Sequence, residues 1–176
     1  MTDNLVSSKR SIVLVPDTFD VPSVLETPDF RLRMLTVNDV VKDFDAVSSS
    51  AEALRGLWPQ STWPAGLTLE QNLIDLGWHQ KEFQRRSSFT YTVAELDESR
   101  VLGCVYIYPT LKAGYDVEVY FWTRPAEQIP NVEPDSLERT VKSWLRNVWP
   151  FQAPAFPGLD IPYQQWNALP DKVFSQ

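Results

Sequence analysis

One cysteine (Cys104) and one histidine (His79) are all this chain has of either residue. A lone cysteine excludes an internal disulfide and a cysteine-rich metal centre. A lone histidine excludes a paired-histidine zinc site, so no metal is expected. Cations are also scarce: 16 Lys and Arg against 23 Asp and Glu leave a formal net charge of −7. Nucleic-acid binders concentrate Lys and Arg against phosphates, so no nucleic acid is expected as a partner. Lys81, Arg85 and Arg86 read instead as the solvated end of a helix, where positive charge suits the dipole. No apolar run is long enough to span a bilayer. The opening MTDNLVSSKR has no hydrophobic stretch ahead of a small-residue cleavage site. A cytoplasmic protein with no membrane partner is the expectation.

What is present suits a folded domain. Hydrophobic residues make up 43% and aromatics 12% of the 176 residues, with seven tryptophans, enough for a sizeable single core. Residues 1–29, with the run SIVLV (Ser11–Val15) and then several prolines and acids, predict an extended arm with one added edge strand. Residues 30–176 are expected to form a single domain. FRLRML (Phe30–Leu35) alternates apolar and charged residues and predicts a half-buried strand. Thr36 and Asp39 open a helix with Val37, Val40, Val41 and Phe44 on its apolar face. LRGLWPQSTWPAG (Leu54–Gly66) is a loop carrying two Trp-Pro pairs. Thr68 and Gln71 then cap a long helix to Arg86, with Leu69, Leu73, Leu76 and Phe83 expected inside. Gly77 in its middle weakens it by about 1 kcal/mol relative to alanine, or marks a kink or a close approach.

A hairpin follows, SSFTYTVAEL and VLGCVYIYP around the turn DESR, then a third strand, YDVEVYFWT (Tyr115–Thr123). Asp135 and Glu138 should cap a helix whose inner face is Leu137, Val141, Trp144, Leu145 and Val148. The tail has room for a short strand around Gln152–Phe156 and a helical turn near Pro162–Leu169. This order gives an α+β fold with a mostly antiparallel sheet.

Several phrases resemble the GNAT N-acetyltransferase superfamily, in the branch that acetylates protein N-termini and small amines. FRLRMLTVNDV is similar to that branch's first strand and helix start, typically LRLRPLT..D. YTVAELDESRVLGCVYIYP is similar to its second and third strands, and VEVYFWTRP to the fourth-strand phrase aEigYWl.P. The likeness spans about residues 30–150. It implies a GNAT-like fold, a mostly antiparallel mixed sheet flanked by helices. It also implies an acyl-CoA-dependent N-acyltransferase that moves the acetyl group of acetyl-CoA directly to a small-molecule or peptide amine. In that family acetyl-CoA lies in a splay between the fourth and fifth strands, with its pyrophosphate on the N–H groups that open the next helix. Carried over, the backbone of Phe121, Trp122 and Thr123 would hold pantetheine and Arg124 would meet phosphate. Glu118 falls at the fourth-strand glutamate that serves as general base. Tyr163, in DIPYQQW, falls near the tyrosine that protonates the departing thiolate.

Alternation puts Asp116, Glu118, Tyr120 and Trp122 on one face and Val117, Val119 and Phe121 on the other. A carboxylate among aromatics with Asp116 beside it should have a raised pKa, which suits a base. The same residue also reads as the solvated mouth of a sheet. Tyr163 reads equally as packing for a proline-rich tail. Trp58 and Trp63 read either as an acceptor pocket for an apolar or cationic group or as core, and His79 and Cys104 as packed residues.

The sequence departs from the family in two places. RPAEQIPNVEPDS (Arg124–Ser136) has no glycine and three prolines, each without an N–H. Glu133 and Asp135 stand where a diphosphate would lie, and Asp135 should cap its own helix. The phosphate loop is thus degenerate and acetyl-CoA binding is put in doubt. After Trp149 the family's full C-terminal hairpin has no counterpart, and the sheet edge left open invites a homo-oligomer. The alternative function is a non-catalytic GNAT-fold ligand-binding or oligomeric interaction protein that has lost acetyl-CoA binding.

Overall fold

The structure, a computed structural model, describes residues 14–173. Ser11 to Val13 of the N-terminal apolar run lie outside them. The strands are β1 (Val24–Glu26), β2 (Arg31–Met34), β3 (Phe89–Ala94), β4 (Val101–Pro109), β5 (Val117–Thr123) and β6 (Pro154–Ala155). The helices are α1 (Val40–Ser49), α2 (Ala51–Leu54), α3 (Leu69–Arg85), α4 (Ser136–Val148) and α5 (Tyr163–Ala168). The strands form one sheet in sequence order, antiparallel except for the parallel pair β5–β6. The expected edge strand is present as β1, paired with β2. Val15 of the arm is buried in the core and Phe19 packs on Trp149.

Each face of the sheet carries one core. On one side α4 sets Leu137, Val141, Trp144 and Leu145 against Phe89, Tyr91, Val105, Val117 and Val119. On the other, α1 and α3 set Ala46, Val47 and Leu76 against Cys104, Tyr106, Tyr120 and Trp122. The alternation of β5 is as the sequence predicts. The capping box of Thr36 and Asp39 forms, and Thr68 accepts the Gln71 N–H at 3.1 Å.

Three helix faces differ from expectation. On α3, Leu69 and Leu73 are exposed and the inner stripe is Asn72, Leu76, His79 and Phe83. The two stripes share one period; polar partners decide between them, because Asn72 donates to Asp43 and His79 meets Thr90. On α1, Val41 is exposed and Asp43 is buried. On α4, Val148 is exposed and Trp149, just past the helix end, turns in.

Gly77 marks neither a kink nor a close approach. Helix α3 runs unbroken through it, and an added Cβ would meet only Val37 Cγ1 at 3.8 Å, an ordinary contact. Gly77→Ala is therefore expected to stabilise the fold by about 1 kcal/mol, read as a higher midpoint in urea with an unchanged slope. A lower midpoint would show that the site needs the glycine.

Candidate active site

Strand β5 pairs with β6 only through Val117↔Pro154 and Glu118↔Ala155, and beyond Glu118 the two part. Asp116 fixes this junction by accepting the N–H groups of Gln152 (2.5 Å) and Ala153 (2.8 Å). Its carboxylate is thus committed to the start of β6 and does not act on Glu118, contrary to the sequence expectation. Glu118 is half-buried, and burial raises its pKa above the ordinary carboxylate value. Hydrogen bonds from Thr110 and Tyr120 and the charge of Lys112 oppose that rise; the Tyr120 hydroxyl lies 3.4 Å from Oε1. Tyr163 opens α5 and donates its hydroxyl to the Leu57 carbonyl. Its ring lies against Gly158, where an added Cβ would fall 2.4 Å from the ring, so only glycine fits that turn. Burial and the nearby Glu118 charge both raise the Tyr163 pKa.

Past the parting, a cleft of about 280 Å³ is lined by Phe121 to Arg124 on one side and Glu133 to Glu138 on the other. Backbone groups on a strand alternate sides. The Arg124 N–H points to Leu102 O on β4 at 2.7 Å, so those of Trp122 also face β4. The close approach of Trp122 O to Gly103, 1.9 Å from where a Cβ would be, agrees. Phe121 and Thr123 therefore present their N–H and C=O to the open side. Of the expected pantetheine contacts, Trp122 is corrected: its backbone is already paired.

Arg124 is corrected too. It is buried, with Nε donating to Val101 O (2.7 Å), Nη1 to Ser49 Oγ (2.8 Å) and Nη2 to Asp45. Its fork binds β4 to the end of α1, leaving little for a phosphate. The capping role of Asp135 is not seen either. Asp135 adopts a left-handed φ of 61°, and its side chain does not cap α4. The Ser136 N–H is bonded to Glu133 O at 3.1 Å, while Leu137 and Glu138, whose N–H groups follow it at the helix start and carry partial positive charge, line the cleft. The carboxylates of Glu133 and Asp135 are exposed beside it, while Glu138 is paired with Lys142 at 2.7 Å.

Solved structures share this architecture. The ribosomal-protein-S5-alanine acetyltransferase from Vibrio fischeri superposes with a TM-score of 0.56 at 16% identity, over 73% of this chain and 70% of its own. The fold is that of the GNAT acetyltransferases. RimL, a ribosomal L7/L12 α-N-protein acetyltransferase solved with coenzyme A, gives 0.52 at 15% identity over 70% and 68% of the two chains. The microcin C7 self-immunity acetyltransferase MccE, solved with acetyl-CoA and AMP, gives 0.52 at 10% identity over 73% and 70%. No family model and no curated protein matches the sequence.

Within this GNAT fold one buried polar group went unread in the sequence. Asp43 accepts Asn72 Nδ2 at 2.9 Å and the Cys104 thiol at 3.6 Å, and burial raises its pKa to about 6. Its signal was a carboxylate three residues after Val40 and four before Val47 on an otherwise apolar helix face. Trp58 and Trp63 stand at the same side of the sheet. The Trp58 ring meets Trp63 at 5.2 Å, Tyr106 at 5.2 Å and Tyr120 at 5.7 Å. Among the described residues no helix is long and apolar enough to cross a membrane, and none cluster as a metal site.

Proposed function

We propose that the chain is an acyl-CoA-dependent N-acyltransferase that moves an acetyl group from acetyl-CoA directly to an amine. The observation that carries the reading is the parting of β5 and β6 after Glu118 into a cleft that ends on the uncapped start of α4. The backbone groups of Phe121 and Thr123 would bond the pantetheine amides as a neighbouring strand does, and the N–H groups of Leu137 and Glu138 would receive a phosphate. Glu118 takes a proton from the attacking amine, a task its raised pKa suits near neutral pH. Tyr163, which shares the Glu118 field, gives a proton to the leaving thiolate after releasing Leu57 O.

Two features favour the second reading, a GNAT-fold protein without cofactor. Glu133 and Asp135 place negative charge beside the phosphate position, and Arg124 is bonded elsewhere. A thermal-shift titration with acetyl-CoA, using desulfo and dephospho forms as controls, separates the two. Acetyl-CoA at a hundredfold its Kd adds about 2.7 kcal/mol, seen as a rise of roughly 5–10 °C in Tm for a domain of this size. A flat Tm at millimolar acetyl-CoA, in a protein that melts cooperatively, would leave the second reading standing.

A further inference from the structure

A second cavity, of about 410 Å³, opens on the α3 side of the sheet, one strand away from Glu118. Its walls are the rings of Trp58, Trp63, Tyr106 and Tyr108, with His79 and Asp75 on the α3 side. The Trp58 ring meets its neighbours edge-on, crossing Tyr106 at 69° and Trp63 at 66°. Tyr106 and Tyr108 stack side by side at 5.8 Å along β4, and His79 continues the wall at 5.5 Å from Tyr106. Tyr108 is the cross-strand partner of Glu118, so the cavity and the Glu118 carboxylate adjoin on one sheet face.

The charge in this cavity has one sign. Among the described residues no lysine or arginine lines it, and Asp75 supplies a half-buried carboxylate. Burial lowers the His79 pKa, so the imidazole is neutral at pH 7 and repels no cation. The ring faces carry the negative lobe of the aromatic quadrupole. The net charge of −7 adds long-range attraction for a positive ligand. An apolar side chain or acyl tail needs none of these features; an organic ammonium ion uses all of them.

The geometry points to this cavity as a binding site for an organic ammonium group, carried by an acceptor whose reacting amine reaches Glu118. The role as acceptor rests on the acyl-transfer reading; the binding of the cation does not, and is measured without any CoA ester. The probes are choline and its uncharged isostere 3,3-dimethylbutan-1-ol, titrated into the full chain and followed by tryptophan fluorescence and ligand-observed NMR. Choline is expected to saturate the signal, with the isostere weaker by about tenfold or more. Trp58→Leu and Asp75→Asn should each weaken choline by about fivefold, with a cooperative melt confirming that each variant folds. The wild-type comparison of the two probes stands even if a variant does not fold. Equal affinity for the isostere would make the cavity merely apolar and overturn the proposal. So would the absence of saturation by choline below about 50 mM, an affinity worth under 2 kcal/mol. Choline binding without acetyl-CoA binding would retain the cation site and remove the acyl transfer.

Discussion

Glu118→Gln is expected to lower acyl-transfer turnover by about 10²- to 10⁴-fold, the usual contribution of a positioned base, with little change in KM. Glutamine keeps the size and one hydrogen-bond acceptor of the side chain, so the bond from Tyr120 can persist and the strand need not move. Only the proton-accepting function is removed. The pH profile supplies an independent reading. Burial raises the Glu118 pKa, so the carboxylate is protonated at low pH, and kcat/KM rises as pH increases through a value above the ordinary carboxylate range. That limb should vanish in the glutamine variant. For stability the sign is the opposite: a carboxyl whose folded pKa is raised contributes most below its unfolded pKa, and loses that contribution as pH rises through the folded value. Unchanged turnover and an unchanged acid limb in Glu118→Gln would remove the base assignment, whatever acetyl-CoA does.

Trp149→Ala is expected to cost about 3–5 kcal/mol of stability, or roughly 6–20 °C in Tm for a domain of this length. The indole is 4% exposed at the centre of an aromatic group. Phe89 lies 5.0 Å away, Phe19, Trp144 and Phe151 each 5.4 Å, and Tyr91 6.3 Å. It ties the N-terminal arm, β3, α4 and the approach to β6 to a single point. Its Nε1 is buried without a partner, so Trp149→Phe gives up some ring area but also removes an unsatisfied donor. The phenylalanine variant should therefore lose much less than alanine. Chemical denaturation of the three proteins checks both statements, and equal losses for Phe and Ala would show that the indole itself, not ring burial, is what the core requires. Because Trp149 precedes β6, the alanine variant should also loosen the β5–β6 junction that Asp116 clasps.

The candidate site was legible in unequal parts. Glu118 could be placed because strand alternation is a property of two or three neighbouring residues, and VEVYFWT states it without ambiguity. The junction role of Asp116 could not, because its partners are backbone N–H groups of Gln152 and Ala153 in a segment with no periodic signal. Arg124 read as an available cation for the same reason: its binding partner Asp45 lies 79 residues away. Asp135 read as a cap because aspartate before a helix commonly is one, but the turn from Glu133 forces it into the left-handed region, where its side chain no longer caps the helix. On α3, Leu76 and Phe83 face inward as the sequence predicts, but Leu69 and Leu73 do not; Asn72 and His79 complete the stripe because each finds a polar partner in another element.

By itself, then, the sequence determined the order of elements, the β3–β4 hairpin, the two faces of β5 and the short strand and helix of the tail. All of these follow from side-chain periodicity, turn residues and chain length, which act locally. Tertiary structure alone decided which charged groups remain free. Arg124 is consumed between β4 and α1, Asp43 is buried against Asn72 and Cys104, and the start of α4 stays uncapped. Whether a donor or a carboxylate is available depends on which other buried group needs it, and that is settled only when distant segments meet.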